Sequence, residues 1–369
     1  MDGNSQKEIC INFLHPILYR IDNKEEKLNK AIELLAISKM PYKFVWGEDA
    51  CDYLFISESI YYGEQNKETR KKFKEIIKKS NPILIFHAGE CIEPDFNVFD
   101  YAVGFDRNLS YDDRFCRMPF RLRFYETYVK DINNIDTIES AKEELKKKKY
   151  FCNFMYSNGS AHHKRDELFY DVSKYKKVYS IGKHLKNFEI SKNEIKNYNN
   201  WILDSIEMKS KFKFSIASEN ACYPGYTSEK IFTSMQAHTI PIYWGDPIVK
   251  QEFNEEAFIN VNDFKSENDL IDYIEKIDKD DKLWCEMISK PWKTNKQMEK
   301  EKNEINEYYK FFMNIFNQDL NNAKRVAEGC HPERYRRAFY MWKANKSLIR
   351  QYLGKLKYIL KERIVKIRR

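Results

Sequence analysis

Short apolar runs alternate with amphipathic helical runs along most of the chain, and the alternation begins twice. ICINFL, centred on 10–14, YLFIS (53–57), PILIFHAGE (82–90) and FDYAVGFD (99–106) read as strands, the last two ending in polar residues. Between them ETRKKFKEIIKKS spaces Phe73, Ile76 and Ile77 for a helix. A charged helix, SAKEELKKKK (140–149), marks a boundary. The pattern then restarts with strand YFCNFMYSN (150–158), helix KRDELFYDVSKY (164–175) and strand KVYSIG (177–182). A helix near 199–208, strand FKFSIA (212–217), helix SEKIFTSMQA (228–237), strands TIPIYWG (239–245) and AFINV (257–261), and helix SENDLIDYIEKI (266–277) complete it. Strands that alternate with helices call for a parallel sheet covered on both faces. Two such series imply an α/β fold of two Rossmann-like domains facing a cleft. Their expected spans are 1–148 and 149–328, followed by a helical, basic C-terminal extension over 329–369.

A chain of 369 residues accommodates two domains, and 42% hydrophobic content can fill two cores. The net charge of +8 is unevenly placed: from Glu333 to Arg369 there are 13 Lys/Arg against 2 Glu, so the remainder is slightly acidic. That argues against nucleic acid as a partner of the body and for a surface-binding tail. The eight cysteines include no CxxC pair, which excludes zinc-ribbon and thioredoxin-type sites. The opening MDGNSQKEIC lacks the pattern of a signal peptide, and no run reaches the ~18 apolar residues of a membrane span. The expectation is a cytoplasmic protein with reduced thiols.

One corner concentrates polar groups. After strand 212–217 come Glu219, Asn220, Tyr223, Tyr226, Thr227, Ser228, Glu229 and Lys230, and a helix follows. Ligands of open α/β sheets bind beyond the C-terminal strand ends, where helix N-termini offer free N–H groups and positive potential. Thr227 or Ser228 suits the N-cap. Lys230 then falls in the first turn, where the helix dipole disfavours a cation, and a bound phosphate or diphosphate would relieve the conflict.

The stretch FKFSIASENACYPGYTSEKIFTSMQAHTIPIYWGDP (212–247) resembles the signature region of the α-1,3-fucosyltransferases that use GDP-fucose. Phe214, Glu219, Asn220, Tyr226, Ser228, Glu229, Lys230, Pro241, Tyr243 and Gly245 carry the match. HAGECIEPDFNVFDYAVGFD (87–106), DDRFCRMP (112–119) and the segment 150–178 resemble the bacterial members. The resemblance implies a GT-B architecture, with an acceptor domain carrying the base and a donor domain binding GDP-fucose. It implies transfer of fucose, with inversion, to a GlcNAc hydroxyl of a galactose-containing surface glycan, free or lipid-linked. Glu90 matches the general base. Arg165 and Lys230 match the cations on the donor diphosphate. Asn220, Tyr226 and Glu229 match donor-contacting positions. Alternatives within this frame are α-1,4 transfer and another GDP-sugar donor. Outside it stands a nucleotide- or glycan-binding scaffold without catalysis.

Inverting transfer needs a carboxylate for the proton of the attacking hydroxyl and positive charge on the departing diphosphate. Glu90 follows a strand of the first domain, whereas Arg165 and Lys230 belong to the second, so they fall on opposite walls; Glu93 is the local competitor for the base and His87 a candidate to orient it. No strand-borne DxD is present to hold a metal. Asp278–Lys279–Asp280 lies in a charged helical stretch and reads as solvated surface, and the pair His162–His163 lacks carboxylate partners at ligand spacing. No cofactor is therefore expected, a divalent cation being at most stimulatory. In the tail, Leu348, Ile349, Leu353, Leu356, Leu360, Ile364 and Ile367 recur at helical spacing among Lys and Arg, a pattern suited to peripheral binding on an anionic membrane.

Overall fold

The computed structural model describes residues 6–61, 67–120, 122, 135–191, 196, 198 and 200–336. The tail's apolar stripe from Leu348 onward lies outside the described residues. Two parallel sheets organise the chain. The first contains β1 (Glu8–Leu14), β2 (Lys43–Trp46), β3 (Tyr53–Ser57), β4 (Ile83–His87), β5 (Tyr101–Gly104) and β6 (Phe115–Arg117), in the order β2-β1-β3-β4-β5-β6. The second contains β7 (Tyr150–Phe154), β8 (Val178–Ser180), β9 (Phe212–Ser218), β10 (Ile240–Trp244) and β11 (Ile259–Asn260), in the order β11-β10-β9-β7-β8. Counted from its own first strand, each sheet runs 2-1-3-4-5, and the first adds one edge strand. The strand order reverses between β1 and β3 in one sheet and between β7 and β9 in the other. Ligand crevices of doubly wound sheets open at such points.

The helices are α1 (Lys24–Leu34), α2 (Glu58–Tyr61), α3 (Lys67–Ser80), α4 (Ile138–Lys146), α5 (Lys164–Tyr175) and α6 (Trp201–Lys209). After them come α7 (Glu229–Gln236), α8 (Glu267–Lys279), α9 (Asp281–Ile288), α10 (Asn295–Asn317) and α11 (Leu320–Ala323). They cover both faces of each sheet. On β3, Tyr53 and Phe55 enter a core shared with Ala31 of α1, while Leu54 and Ile56 enter another with Ile76 of α3. A strand buried on both faces has no polar alternation, which is why YLFIS reads as a continuous apolar run.

Two helices depart from the expected domain spans. The charged helix taken as a boundary is α4. Its Ala141 lies in the second core, with Ile138 and Leu145 packed against it, while Lys146 and Glu143 pair on the outer face. The second unit therefore begins before residue 149. Helix α10 falls inside the span 149–328, yet its Tyr308, Phe312, Ile315 and Phe316 sit in the first core beside Phe55 and Tyr53. These four residues repeat at helical spacing, so one face of α10 buries against the first sheet. The chain thus crosses from the second unit back to the first.

The Asp278–Lys279–Asp280 stretch also differs from its expected solvated state. Asp278 is buried, ion-paired with Lys176 at 2.8 Å and Lys213 at 3.2 Å, and accepts from the Tyr175 hydroxyl at 3.0 Å. Asp280 caps α9 by accepting from the backbone N–H groups of Lys282 and Leu283. Among the described residues no helix is long and apolar enough to cross a membrane.

Four charges, Glu252 buried and the other three half-buried, join the two units and α10. Arg107, beyond β5, donates to Glu252 and pairs with Glu304 Oε1 at 2.8 Å. Arg117, at the end of β6, donates to the same Glu252 oxygen and reaches Glu304 Oε2 at 3.0 Å. Burial pushes the Glu252 carboxyl up, but the two guanidiniums outweigh it and hold the group at about 2, below its ordinary 4.5. Removing one partner of a buried charge cluster leaves an uncompensated ion. Arg107→Ala should therefore cost about 3–5 kcal/mol in urea unfolding; a loss under about 1 kcal/mol would show that the cluster carries little. Because the folded pKa of Glu252 is depressed, its contribution is complete above pH 4.5 and disappears as pH falls toward 2. Glu252→Gln should flatten that part of the stability–pH profile.

Candidate active site

The second sheet places a carboxylate where the polar corner begins. Glu219 directly follows β9 and is fully buried. Its Oε1 accepts from the backbone N–H of Ser228 at 2.8 Å, and its Oε2 accepts from the Ser228 hydroxyl at 2.6 Å and from Lys230 Nζ at 3.1 Å. Ser228 is the N-cap residue of α7, but its own side chain caps nothing. The Glu219 carboxylate binds the N-cap residue itself, placing negative charge at the positive end of the helix. Thr227 instead donates to Asp246 at 3.1 Å. The dipole conflict at Lys230 is thus relieved within the protein by Glu219 and Glu229, rather than requiring a bound anion. Burial disfavours the Lys230 charge, yet these two carboxylates override it and raise its pKa above the ordinary value. Gly245 leaves room for Glu219: a Cβ there would lie 2.4 Å from Glu219 Cγ.

Arg165 occupies the reversal point between β7 and β9. It lies in the first turn of α5 but is only 1% exposed, not on a solvated helix face. Its Nη2 donates to the Ser218 carbonyl at 2.9 Å and to Asn220 Oδ1 at 2.8 Å, and its guanidinium lies 4.0 Å from the centre of the Tyr156 ring. Among the described residues no carboxylate pairs with it, and its Nε is buried without a hydrogen-bond partner. Tyr156 is itself fixed: its hydroxyl donates to the Ile216 carbonyl and accepts from Ser218 N–H, and burial pushes it up to about 12. A guanidinium held by neutral acceptors is a cation still able to balance an anion.

Glu90 reaches this corner from the first unit. It stands three residues beyond β4, and its Oε2 accepts from Asn220 Nδ2 at 3.2 Å and from the Tyr226 hydroxyl at 2.6 Å. Asn220 therefore touches Glu90 with its amide nitrogen and Arg165 with its amide oxygen. Next to this pair, the Tyr223 hydroxyl donates to Glu93 at 2.8 Å, so Glu93 sits on a separate contact. Phe105 of the first unit packs edge-on against Tyr223 and Tyr226, and Gly225, with φ +86°, lets the corner approach its carbonyl.

Glu90, Arg165, Asn220 and Tyr226 thus form one connected group, and at the start of α7 Lys230 pairs with Glu229 and with Glu219, the chain neighbour of Asn220. Sequence reasoning placed Glu219 at the polar corner but left it out of the site residues, because its burial and its bonds to Ser228 and Lys230 are tertiary contacts. His162 and His163 stack on each other at 4.1 Å, and His162 lies 4.6 Å from the buried Trp244 ring, so that ring meets histidine in this structure. Among the described residues no three His, Cys, Asp or Glu side chains gather as metal ligands.

Comparison with known proteins agrees with this layout. The model of the glycosyltransferase family 10 (fucosyltransferase) C-terminal region matches residues 145–328. The model of the alpha-(1,3)-fucosyltransferase FucT N-terminal domain matches residues 34–128. The alpha-(1,3)-fucosyltransferase FucT of Helicobacter pylori is 31% identical over 242 residues, covering 58% of this chain and 48% of that protein. The putative fucosyltransferase R654 of Acanthamoeba polyphaga mimivirus is 32% identical over 217 residues, covering 58% of this chain and 35% of that protein. The chain spans about half or less of the length of these curated relatives. A crystal structure of an alpha1,3-fucosyltransferase with GDP-fucose superposes with a TM-score of 0.62 at 24% identity, covering 86% of this chain and 93% of that one. That likeness gives the fold, the two-domain GT-B arrangement. With both halves matched by models of one family, the chain belongs to glycosyltransferase family 10, the fucosyltransferases.

Proposed function

We propose that the protein is an α-1,3-fucosyltransferase that moves L-fucose from GDP-fucose to a GlcNAc hydroxyl of a galactose-containing surface glycan, with inversion. The observation that carries this reading is the bridge through Asn220, which brings a carboxylate from one wall and a buried guanidinium from the other to a single amide. Inversion requires the nucleophile and the leaving group on opposite faces of the sugar. Glu90 serves as the base. Its Oε2 is held by Asn220 and Tyr226, which leaves Oε1 to take the proton of the acceptor hydroxyl. That oxygen attacks the anomeric carbon as the bond from carbon to the diphosphate oxygen breaks, and GDP departs with the electron pair. Arg165 and Lys230 receive the charge that develops on the diphosphate, an electrostatic role that preorganised cations fill in place of a metal. Asn220, Tyr226 and Glu229 contact the donor.

Two variants separate these roles. Glu90→Gln keeps both hydrogen bonds to an oxygen but removes the base. Turnover should fall by about 10²-fold or more with GDP affinity unchanged by calorimetry. Arg165→Ala should weaken GDP about tenfold to a hundredfold, as expected for a lost charge-assisted hydrogen bond. Wild-type turnover in the first variant, or unchanged GDP affinity in the second, would refute the corresponding assignment.

The reaction as proposed requires no cofactor. Dialysis against a chelator should leave most activity in place; complete loss, restored only by Mn²⁺ or Mg²⁺, would overturn that reading.

The basic tail is proposed to hold the enzyme on the inner face of the cytoplasmic membrane, beside a lipid-linked acceptor. Each Lys or Arg near an anionic surface contributes about 1 kcal/mol. Deleting residues 355–369 should leave transfer to a soluble acceptor largely intact and reduce co-sedimentation with anionic vesicles at low salt. Equal sedimentation of the full and shortened chains would exclude the tail as the anchor.

A further inference from the structure

Glu58 is a buried acid that the proposed chemistry does not use. It follows β3 directly, at the reversal point of the first sheet, and opens the short helix α2. Only 8% of it is exposed. A carboxylate is costly to bury unless it is bonded. Its Oε2 accepts from the backbone N–H of Gly89 at 2.8 Å. The carboxylate also lies flat against that residue: a Cβ on Gly89 would meet Glu58 Oε1 at 3.2 Å, and Oε2 and Cδ at 3.5 and 3.6 Å. Gly89 immediately precedes Glu90, so the bond fixes the Ala88–Gly89 peptide, the link just before the residue that carries the base.

The two units hold Glu90 in different ways. Both hydrogen-bond partners of its side chain, Asn220 and Tyr226, come from the second unit. From the first unit the loop is held by its backbone: Ala88 N–H donates to the Val103 carbonyl, Gly89 N–H to Glu58, and Ile92 N–H to the Glu90 carbonyl. Of these bonds, the one to Glu58 alone uses a side chain. We propose that Glu58 is a positioning residue for the base, fixing the Ala88–Gly89 peptide, one link before Glu90, so that the Glu90 carboxylate enters the cleft in its working orientation. The inference rests on Glu90 being the base. What matters is the reach of an oxygen to Gly89 N–H, not the charge of Glu58.

Two substitutions separate reach from charge. Glu58→Asp keeps the charge and shortens the side chain by one methylene, so the bond to Gly89 is lost. Glu58→Gln keeps an oxygen within reach and removes the charge. In the full chain, hydrogen exchange at Gly89 should speed up in Glu58→Asp and stay near wild type in Glu58→Gln. Turnover should fall about 10- to 100-fold in Glu58→Asp, the scale of an ångström-level misplacement, with GDP affinity by calorimetry unchanged. Glu58→Gln should recover turnover to within about threefold of wild type. Glu90→Gln, measured alongside, separates the two claims. Wild-type turnover in Glu90→Gln overturns the base assignment and this role with it. Lost turnover in Glu90→Gln, together with full turnover in Glu58→Asp or equal loss in both Glu58 variants, overturns the positioning role alone. Should Glu58→Asp fail to fold, unprotected Gly89 exchange or impaired turnover in Glu58→Gln would still overturn it.

Discussion

The candidate site depends on a carboxylate that water does not reach. Glu219 ends β9 with its full side chain buried, and a bare charge there would be untenable. Three donors make it tenable: two from Ser228 and one from Lys230. These contacts couple features that a sequence presents as separate. The strand must stop where it does, the N-cap of α7 must come nine residues after Glu219, and residue 245 must lack a side chain. The same contacts fix the neighbour of Glu219. Asn220 leaves the buried strand end with its amide facing Arg165 on one side and Glu90 on the other. The geometry of the cleft is thus set by one ion whose own function is structural.

This explains which parts of the molecule were legible in the chain. The two-sheet plan was legible because strand and helix periods are local, and a strand buried on both faces announces itself as an unbroken apolar run. Helix α5, read as 164–175, has those bounds in the structure. What failed were questions of partnership. Helix α10 looks like any amphipathic helix, and no local pattern says that its Tyr308–Phe316 face belongs to a sheet formed nearly 300 residues earlier. Asp278 looked solvated because its lysine partners, Lys176 and Lys213, are far from it in sequence. At the corner the charge conflict at Lys230 was read correctly, but its resolution was assigned to a ligand. The answer lay eleven residues upstream, in an acid whose burial no pattern of spacing reveals.

Phe105 connects the active-site corner with the charge cluster between the units. Its carbonyl accepts from Arg117 Nε at 2.9 Å, and its ring packs on Tyr223 and Tyr226. Arg117 is in turn bound to Glu252 and Glu304. A single residue therefore lies between the ion cluster that spans both units and the tyrosine that touches Glu90. Gly225 permits this closeness, since a Cβ there would lie 2.6 Å from the Phe105 carbonyl oxygen. A corner built with any other residue would stand farther from the first unit, and the Tyr226 hydroxyl with it.

The contacts between the units also differ in what they cost to separate. At the cleft they are single hydrogen bonds to exposed carboxylates: Glu90 with Asn220 and the buried Tyr226, and Glu93 with Tyr223. Bonds of that kind contribute about 0.5–1.5 kcal/mol each, up to about 3 where a charge takes part. In the Arg107–Arg117–Glu252–Glu304 cluster, breaking one partnership strands a desolvated ion at about 3–5 kcal/mol. The costly set therefore holds the two walls in register more firmly than the contacts at the cleft, and the meeting of Glu90 and Arg165 at one amide depends on it.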